Sequence, residues 1–572
     1  MTQFNNDKPP SSHSVEHEFY GSIPKGYKKG RTKYIVITGS VMSGVGKGTF
    51  SSCLANLLTC HGLKVSPIKF DGYLNYDAGT LNPFRHGEVF VLEDGTECDL
   101  DLGTYERYLN KNLTKDNYLT AGKIFKSIID KERSGEYLGR DVQFIPHVTG
   151  EIKDYLRELA VKSDADVVLV EVGGTVGDLE NSYFIEAVRE LKYEEGRENV
   201  CVVNVTYIVE PGSLNEFKSK PAQLGIKKLM ELGIQPDVII CRSENPIPEK
   251  IKEKLSIYSN VPVNMIFNLW DMSDIYEVPL ILKDMGIDKT MFEVLSIQPT
   301  KNMRSDLNFS SWGSFVDKIK KSNREIKVGI VGKYIDVHDS YISILKALEH
   351  TGPYFGVKVK VNWIDSTNIE EGKTSVEDAL KGIDGIIVPG GFGKRGVEGK
   401  IMAIRYAREK NVPFLGLCFG LQLAVIEFAR DVCNLKGAHS TEIESNSKNP
   451  VVDLLPWQKK LLKDSKYGAT MRLGGQTVSI KKGTLAFKLY GKGKVIERFR
   501  HRYEISPSYV RCLEKNGFVF SGFTPDGKIK QIGEIPGLRY FVGSQFHPEF
   551  TSKPLKPNPL FAGFVEACTS RK

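Results

Sequence analysis

Short apolar runs alternate with longer amphipathic stretches along the first half of the chain. The opening run, at 33–38, is rich in β-branched residues and ends at Gly39, and a helical pattern follows around 53–58. The same reading predicts strands at 65–70, 142–145, 166–170, 202–208, 237–241 and 262–267, and helices at 122–131, 151–160, 179–190, 221–232 and 275–283. Alternating strands and helices are typical of a doubly wound, mostly parallel sheet, so residues 31–295 are predicted to form an α/β domain.

A polar, charged stretch at 296–325 reads as a linker between this domain and a second series of apolar runs. The second series predicts strands at 327–331, 358–361, 385–388 and 413–417, with helical stretches between them. Its last third is richer in antiparallel strand. We therefore expect a second α/β domain over 326–572, and the polar residues 1–30 predict a flexible N-terminal extension.

Composition narrows the class of protein. A chain of 572 residues that is 41% hydrophobic is too long for one core. The net charge of +8 is mild, and the chain has no basic stripe with interleaved aromatics, so no nucleic-acid partner is expected. Nine cysteines without a Cys-x-x-Cys pair argue against a disulfide framework or a zinc ribbon. With neither a signal-peptide pattern nor a membrane-length apolar run, we expect a cytoplasmic protein that does not bind a membrane.

A glycine-rich turn, Gly39–Thr49, lies between the first strand and the first helix. Such a turn points backbone N–H groups at one spot at a helix N-terminus, and Lys47 adds a positive charge there. The P-loop pattern is incomplete, because Val41 and Gly48 stand where Gly and Ser or Thr are usual. The turn predicts a phosphate cradle, and an ordinary tight turn is the alternative.

A second candidate site is Gly416-Leu417-Cys418-Phe419-Gly420, which follows a strand and precedes a helix. Small residues two positions before and after a nucleophile let the chain turn sharply, and a helix N-terminus favours a thiolate. His547 and Glu549 could supply a proton shuttle and its orienting carboxylate. The bend 389–393 could offer N–H groups to an oxyanion. The alternative for Cys418 is a buried structural cysteine.

Acidic and basic residues suggest a nucleotide site in the first domain. Glu171 ends an apolar strand, where ligands of open α/β sheets lie, so it could hold Mg²⁺. Asp99-Leu100-Asp101 alternates, which predicts both acids on one face. Lys218 and Lys220 precede a helix and could clasp a triphosphate. Solvated strand ends and an ordinary charged surface are the alternatives for these residues.

Together these motifs resemble the CTP synthase family over most of the span 33–564. The most specific stretches are His86–Val91, Asp99–Gly103 with Tyr105–Arg107, Glu171–Asp178, Pro389–Gly393, Arg500–Glu504 and Gln545–Phe550. The chain departs from the usual family pattern at Ser40, Gly44, Gly72, Ala78, Ser219, Ala222 and Phe419. None of these departures removes a group that the resemblance assigns to chemistry.

The resemblance implies a P-loop-like amidoligase domain followed by a class I glutamine amidotransferase domain. The first would make CTP from UTP and ATP through a 4-phosphorylated UTP. The second would release ammonia from glutamine at a Cys418–His547–Glu549 triad and deliver it through an internal channel. The resemblance also implies GTP as activator, CTP as feedback inhibitor and a homotetramer.

The resemblance further implies ligands for each substrate. ATP would be bound by Gly44, Val45, Gly46, Lys47, Gly48, Thr49 and Asp101, and Mg²⁺ by Asp101 and Glu171. UTP or CTP would be bound by Ser43, Asp178, Leu179, Glu180, Lys218, Lys220, Gln223 and Lys254. Glutamine would be bound by Gly391, Phe419, Gln422, Glu442 and Arg502. His86 would lie near the ammonia path, and Arg395 would take part in the response to GTP.

Two other functions compete with this one. A P-loop amidotransferase of the cobyric-acid type would share the domain order, but the Asp99–Gly103 and lysine motifs disfavour it. A filament-forming scaffold with decayed sites is disfavoured because Lys47, Asp101, Glu171, Cys418 and His547 are all intact.

Overall fold

The computed structural model describes residues 23–212, 216–298, 307–333, 338–391, 393–454 and 471–570. Most of the predicted N-terminal extension, part of the predicted linker and Phe392 of the 389–393 bend therefore lie outside the described residues. Contacts divide the chain into two compact units. The first takes residues from 1–77 and 116–310, and the second from 78–115 and 311–572. The pattern along the chain did not indicate that 78–115 groups with the C-terminal part.

The strands are numbered in chain order. They are β1 Lys33–Gly39, β2 Val65–Asp71, β3 Phe90–Val91, β4 Glu97–Cys98, β5 Tyr118–Thr120, β6 Val167–Val172, β7 Val200–Tyr207, β8 Val238–Ser243, β9 Ile266–Trp270, β10 Arg324–Gly332, β11 Val357–Asp365, β12 Gly385–Val388, β13 Phe414–Leu417, β14 Ala438–Ser440, β15 Asn449–Asp453, β16 Arg472–Ile480, β17 Lys494–His501, β18 Glu504–Ile505, β19 Val519–Phe523, β20 Lys530–Glu534 and β21 Phe541–Ser544.

The helices follow the same convention. They are α1 Lys47–Cys60, α2 Pro83–His86, α3 Leu100–Leu109, α4 Ala121–Ser134, α5 Thr149–Ser163, α6 Ser182–Glu195, α7 Lys220–Glu231, α8 Glu249–Ser259, α9 Val278–Asp284, α10 Ile287–Val294, α11 Phe309–Lys321, α12 Ile342–Thr351, α13 Ser366–Glu370, α14 Val376–Ala379, α15 Val397–Glu409, α16 Phe419–Asp431, α17 Leu485–Tyr490, α18 Pro507–Lys515 and α19 Pro559–Thr569. No described helix is long and apolar enough to cross a membrane.

The first unit is built on a parallel sheet with the strand order β5-β2-β6-β1-β7-β8-β9. Its central strands are buried along almost their whole length, as expected for strands that have helices on both faces. This arrangement confirms the parallel α/β sheet that the alternating pattern predicted. Strand β1 lies between β6 and β7, so the loops after β1 and β6 emerge side by side at the same edge of the sheet.

Two local predictions were wrong. The strand predicted at 142–145 is not formed, and a helical turn, Phe144–Val148, lies there instead. Pro146 cannot donate a ladder hydrogen bond, and the side chains of Phe144 and Ile145 are mostly exposed rather than in a sheet. The edge strand next to β2 is β5, which is too short to show a periodic pattern.

The prediction that Asp99 and Asp101 alternate as in a strand was also wrong. Asp99 is the N-cap of α3 and its carboxylate accepts a hydrogen bond from the Asp101 N–H at 2.9 Å. Aspartate at an N-cap satisfies one of the free N–H groups of the first helical turn. The two acids therefore follow helical geometry, not the two-residue repeat of a strand.

The second unit contains a nine-stranded sheet with the order β11-β10-β12-β13-β21-β20-β19-β16-β17. The first five strands of this order, from β11 through β21, pair in parallel. The remaining pairs, from β21 through β17, are antiparallel, which confirms the antiparallel character predicted for the last third. Strand β13 lies between β12 and β21. The C-terminal ends of these three strands therefore bring the bend after β12, the turn after β13 and the residues after β21 together.

Candidate active site

Cys418 occupies the turn between β13 and α16. Its backbone has φ 52° and ψ −98°, a conformation that is strained for a residue with a Cβ. Its N–H donates to the Ser544 carbonyl at 2.7 Å, which fastens the turn to the end of β21. A strained strand-to-helix turn that is held by a neighbouring strand is typical of an activated nucleophile, and it disfavours the structural-cysteine alternative.

The glycines that flank Cys418 make this turn sterically allowed. A Cβ on Gly416 would lie 2.8 Å from the carbonyl carbon of Gly420, and one on Gly420 would lie 2.1 Å from the Val388 carbonyl oxygen. Neither position has room for a side chain. The Gly-x-Cys-x-Gly spacing in the sequence is therefore a packing requirement of the turn.

His547 and Glu549 follow β21 and form a hydrogen-bonded pair. The Nδ1 of His547 lies 2.7 Å from Oε1 of Glu549. Burial lowers the pKa of His547, but the Glu549 carboxylate and the nearby Cys418 sulfur outweigh it and raise that pKa to about 10. The Nε2 atom of His547 is buried and has no hydrogen-bond partner among the described residues. The pair is thus arranged to hold a proton close to Cys418.

The thiol and the bend after β12 complete the centre. The Sγ of Cys418 lies 3.8 Å from the Arg500 carbonyl oxygen and 3.7 Å from Nε2 of Gln545. A Cβ on Gly390 would be 3.1 Å from Cε1 of His547 and 3.6 Å from the Cβ of Cys418. The bend therefore approaches both the thiol and the imidazole, as an oxyanion-binding loop must.

The five residues predicted to bind glutamine meet in one place. They line a small pocket together with Cys418, namely Gly391, Phe419, Gln422, Glu442 and Arg502. Gln422 donates to the Tyr503 carbonyl at 2.9 Å, and its own buried carbonyl oxygen has no hydrogen-bond partner among the described residues. Glu442 accepts from the Gly393 N–H at 3.3 Å, and burial raises its pKa. Opposite charges on Glu442 and Arg502, and the Gln422 amide oxygen, beside a thiol suit an amino-acid amide as ligand.

A larger cavity of about 160 Å³ opens on Cys418 and the His547–Glu549 pair. Its lining includes Glu88, Val89, Arg500 and Phe550, for which no role was predicted. Glu88 bonds to the Ser343 hydroxyl, and burial raises the pKa of its carboxyl to about 7. The signal that could have found Glu88 is its place inside the His86–Val91 motif. His86 itself is exposed.

In the first unit the glycine-rich turn leads directly into α1. Gly44 and Gly46 have φ of 72° and 92°, and Val41 also has a positive φ of 79°. Gly46 is the N-cap of α1 and offers no side-chain acceptor to the first helical N–H groups, which suits an anionic ligand. Lys47 is 7% exposed and its Nζ donates to the Gly174 carbonyl at 2.6 Å. Ser43 is exposed on the same turn.

Glu171 lies in β6 immediately before the loop that carries Gly174. Its carboxylate is 1% exposed and forms an ion pair with Lys69 of β2 at 2.7 Å. Within this unit the predicted phosphate loop and the predicted metal ligand are therefore joined through the two neighbouring strand ends. Asp101, the other predicted metal ligand, belongs to the second unit.

The residues predicted to bind the pyrimidine nucleotide lie on four segments of the first unit, namely the glycine-rich turn with Ser43, 178–180, 218–223 and α8 with Lys254. Asp178 accepts from the Thr175 N–H at 2.8 Å, and Leu179 and Glu180 next to it are exposed. Lys218 bonds to Glu216 at 2.5 Å, and the charges of Lys218, Lys250 and Lys254 lower the pKa of Glu216. Two predicted lysines thus act on one carboxylate.

The last two residues of this set lie in the first turns of α7. The Nζ of Lys220 lies 5.7 Å from the ring centre of Tyr258, and Gln223 is buried with its Nε2 donating to Ser219 Oγ at 3.0 Å. Lys220 is exposed and could leave the ring to contact an anion. Gln223 offers an amide that could contact a base. Their roles stay predictions.

Comparison with known proteins decides the family. The model described as CTP synthase N-terminus matches residues 33–297, and the model described as glutamine amidotransferase class-I matches 336–567. A CTP synthase of Pyrococcus abyssi is 51% identical over 95% of this chain and 98% of its own length. A CTP synthase of Methanopyrus kandleri is 48% identical over 94% of this chain and 99% of its own length. The chain belongs to the CTP synthase family.

Among solved structures, the chain is similar to the glutaminase domain of Trypanosoma brucei CTPS with bound acivicin. The identity is 35%, the match covers 43% of this chain and 95% of that one, and the TM-score is 0.40. The family matches confirm the predicted family, the α/β fold class and the glutamine-hydrolysing ligase class. They leave no support for the cobyric-acid-type alternative.

CTP synthases are ATP-dependent and generally need Mg²⁺, so the first unit can be tested for a suitable site. The described residues contain no cluster of three or more metal-binding side chains. Mg²⁺ in nucleotide sites is usually held by one or two carboxylates and by substrate phosphates. A single buried carboxylate, Glu171, beside a loop that carries Lys47 fits that donor set.

One departure from the CTP synthase pattern has a visible accommodation. Ser40 is fully buried and donates to Asn204 Oδ1 at 3.1 Å. A Cβ on Gly225 of α7 would lie only 2.6 Å from the Cβ of Ser40. Gly225 therefore provides the space that the Ser40 side chain fills, and the glycine-rich turn packs against α7.

Proposed function

We propose that the protein makes CTP from UTP, ATP and glutamine, with glutamine hydrolysis at Cys418 in the second unit and nucleotide chemistry in the first. One observation supports this most directly. Cys418 lies on a strained turn beside a hydrogen-bonded His547–Glu549 pair, in a chain that is about half identical to curated CTP synthases.

In the proposed glutaminase reaction, Gly391, Phe419, Gln422, Glu442 and Arg502 bind glutamine. The sulfur of Cys418 attacks the carboxamide carbon, and N–H groups of the 389–391 bend stabilise the negative oxygen. The imidazolium of His547 gives its proton to the departing nitrogen as the carbon–nitrogen bond breaks. Water then cleaves the thioester, so glutamine and water yield glutamate and ammonia.

The cavity beside Cys418 is the proposed first receptacle for ammonia. Ammonia in bulk water at neutral pH is mostly ammonium and cannot act as a nucleophile. Release into a lined interior space preserves its reactivity. The cavity lies next to the His86–Val91 motif, which supports the predicted delivery through an internal channel.

In the first unit, we propose that ATP phosphorylates O4 of UTP and that ammonia then displaces phosphate at C4. The residues Gly44 to Thr49 would cradle the phosphates, and Lys47 would stabilise charge on the transferred group. Bound Mg²⁺ supplies further charge neutralisation, and Glu171 is its proposed ligand in this unit. Asp101 stays a predicted ligand of ATP and the metal.

The same proposal assigns the pyrimidine nucleotide to a set of eight polar, charged and apolar residues of the first unit. These are Ser43, Asp178, Leu179, Glu180, Lys218, Lys220, Gln223 and Lys254. The lysines that act on Glu216 support the set, because the same side chains could bind a triphosphate after leaving that carboxylate.

Regulation and assembly are proposed on the family resemblance. GTP would activate, CTP would inhibit, the enzyme would be a homotetramer, and it would work in the cytoplasm. Arg395, whose Nε lies 3.3 Å from Thr367 Oγ1, is the proposed participant in the response to GTP. Neither a nucleic acid nor a membrane is proposed as a partner.

The test is CTP formation by the purified protein. With UTP, ATP, Mg²⁺ and glutamine we expect CTP, and the same with ammonium chloride at high pH in place of glutamine. Cys418→Ala should abolish the glutamine-dependent reaction and keep the ammonia-dependent one. Cys433→Ala, at a half-buried cysteine of the same unit, is the matched control. Glutamine-dependent activity in Cys418→Ala would contradict the assigned nucleophile.

A further inference from the structure

Strand β17 touches both candidate catalytic residues through its backbone. The Arg498 carbonyl accepts the His547 N–H at 2.8 Å. The Arg500 carbonyl lies 3.8 Å from the Sγ of Cys418. Carbonyls at positions 498 and 500 therefore help to set where the imidazole and the thiol lie.

The side chains of the same two arginines reach residues of 78–115, which belongs to the second unit. Arg498 donates to both carboxylate oxygens of Glu106, at 2.8 and 3.0 Å, and to the Val91 carbonyl at 3.1 Å. Both partners of this pair are 1% exposed. Arg500 donates from Nε to Glu97 at 2.7 Å. A buried, two-pronged guanidinium–carboxylate pair fixes direction as well as distance.

Aromatic contacts add a second route from the same segment. The ring of Phe90 meets that of Phe550 edge to face, with 5.0 Å between centres. The Phe550 ring stacks on the His547 imidazole at 4.9 Å and an interplanar angle of 15°. The guanidinium of Arg498 also lies 5.5 Å from the centre of the Phe90 ring. Segment 78–115 thus contacts both the strand and the ring that support His547.

We propose that Glu97 and Glu106 are positioning residues for glutamine hydrolysis, acting through Arg500 and Arg498 on Cys418 and His547. The inference rests on the proposed function and deepens it. The segment that carries these glutamates falls within the match to the CTP synthase N-terminus, although it packs with the amidotransferase strands. Neither glutamate lines the glutamine pocket beside Cys418, so each would act only through its arginine.

A merely structural role is the competing explanation. Buried ion pairs are often no more stabilising than apolar residues of similar size, because desolvation offsets the attraction. Small displacements of a nucleophile, in contrast, lower a rate steeply. A positioning role therefore predicts a loss of turnover that exceeds any loss of folded protein, and an altered response of the thiol to pH.

The test compares Glu106→Gln and Glu97→Gln with Glu534→Gln. Glu534 is a matched control, because it is buried in β20, accepts backbone N–H groups of Leu485 and Ala486, and lines neither pocket beside Cys418. For each full-length variant we would measure thermal stability, glutaminase kcat and KM, and the pH dependence of Cys418 alkylation by iodoacetamide. Ammonia-dependent CTP formation reports on the nucleotide chemistry without glutamine hydrolysis.

We expect kcat for glutamine hydrolysis to fall by about 10- to 100-fold in Glu106→Gln and less in Glu97→Gln, with KM changed by less than about threefold. The midpoint of the alkylation profile should move in both. Glu534→Gln should lose stability while keeping kcat and the profile. Ammonia-dependent CTP formation should stay near the wild-type rate in all three.

Folded variants of Glu97 and Glu106 with wild-type kcat and alkylation profile would overturn the inference, as would equal losses in Glu534→Gln. If Glu106→Gln does not fold, Glu97→Gln decides, because its pair is partly exposed at 15% and 10%. A wild-type protein without glutaminase activity would instead overturn the proposed function. The two failures are therefore distinguishable.

Discussion

The candidate glutaminase centre and the candidate nucleotide site are built in different ways. Around Cys418, the reactive groups are held by backbone atoms of neighbouring strands and directly by one another, as in the His547–Glu549 pair. In the first unit, the charged groups have internal partners. Lys47 bonds to the Gly174 carbonyl, Lys69 to Glu171 and Lys218 to Glu216. An anionic substrate would have to replace some of these partners.

The difference follows from the chemistry each site performs. A covalent nucleophile needs a fixed distance and direction to its proton donor, which strand ends and a strained turn supply. Phosphoryl transfer needs positive charge and backbone donors around a flexible polyphosphate. Substitutions in the two sites should therefore separate the two half-reactions, and the predictions below begin with the largest separation.

Glu549→Gln should lower glutamine-dependent CTP formation by about 10³- to 10⁴-fold, because the His547 imidazole loses its orienting carboxylate. Ammonia-dependent formation should stay within about twofold of wild type. Steady-state assays with the two nitrogen sources check this. A glutaminase rate within tenfold of wild type would contradict the orienting role.

The same variant should also change stability with pH. The folded pKa of His547, about 10, lies above its ordinary value of 6.5. The stabilisation of the folded state by protonated His547 is therefore complete below pH 6.5 and is lost as the pH rises through about 10. Denaturant melts should show a larger destabilisation of Glu549→Gln at pH 6 than above pH 10.

Lys47→Ala should impair the nucleotide reaction and leave glutamine hydrolysis intact, whereas Glu549→Gln should do the reverse. We expect CTP formation to fall by about 10²- to 10³-fold with either nitrogen source, because charge on the transferred phosphoryl group loses its cation. Glutamine hydrolysis without nucleotides should not change. Lys64→Ala, at an exposed lysine of the same unit, is the control. Loss of basal glutaminase activity in Lys47→Ala would remove the distinction between the two sites.

Lys400→Met should stabilise the second unit. Burial, aided by the charge of Lys333, lowers the pKa of Lys400 from 10.5 to about 7. The charged form therefore opposes folding, on the order of a few kcal/mol. This penalty is complete below pH 7 and declines as the pH rises toward 10.5. Denaturant melts at pH 6 and pH 9.5 should show the larger gain at pH 6, and an equal gain at both would contradict the assigned cause.

Gly225→Ala should give the smallest effect. The free energy of unfolding should fall by about 1–2 kcal/mol, because the new methyl group meets the Ser40 side chain. Ser40→Gly in the same chain should recover most of it. A double-mutant cycle of unfolding free energies measures the coupling, which we expect to be about 1 kcal/mol or more. Additive effects would mean that the helix moves to relieve the contact.

Much of this arrangement was readable from local pattern. The strands β1, β6 and β7 are long apolar runs bounded by turn residues, and each was predicted within a few positions of its observed bounds. The turn at Cys418 was predicted from its flanking glycines, because local steric rules fix it. The prediction of a strand at 142–145 was wrong, because apolar character alone does not distinguish a sheet strand from exposed residues before Pro146.

The sequence alone also determined the family and the chemical groups, since a catalytic motif is a short stretch whose residue types are dictated by its reaction. Only the tertiary structure showed that segment 78–115 belongs to the second unit. It also showed that Arg498 and Arg500 of β17 bind this segment, while their carbonyl groups contact His547 and Cys418. Pairings such as Glu106 with Arg498 link residues far apart in the chain. They leave no periodic signal, because burial of a charge is settled by the partner that folding brings to it.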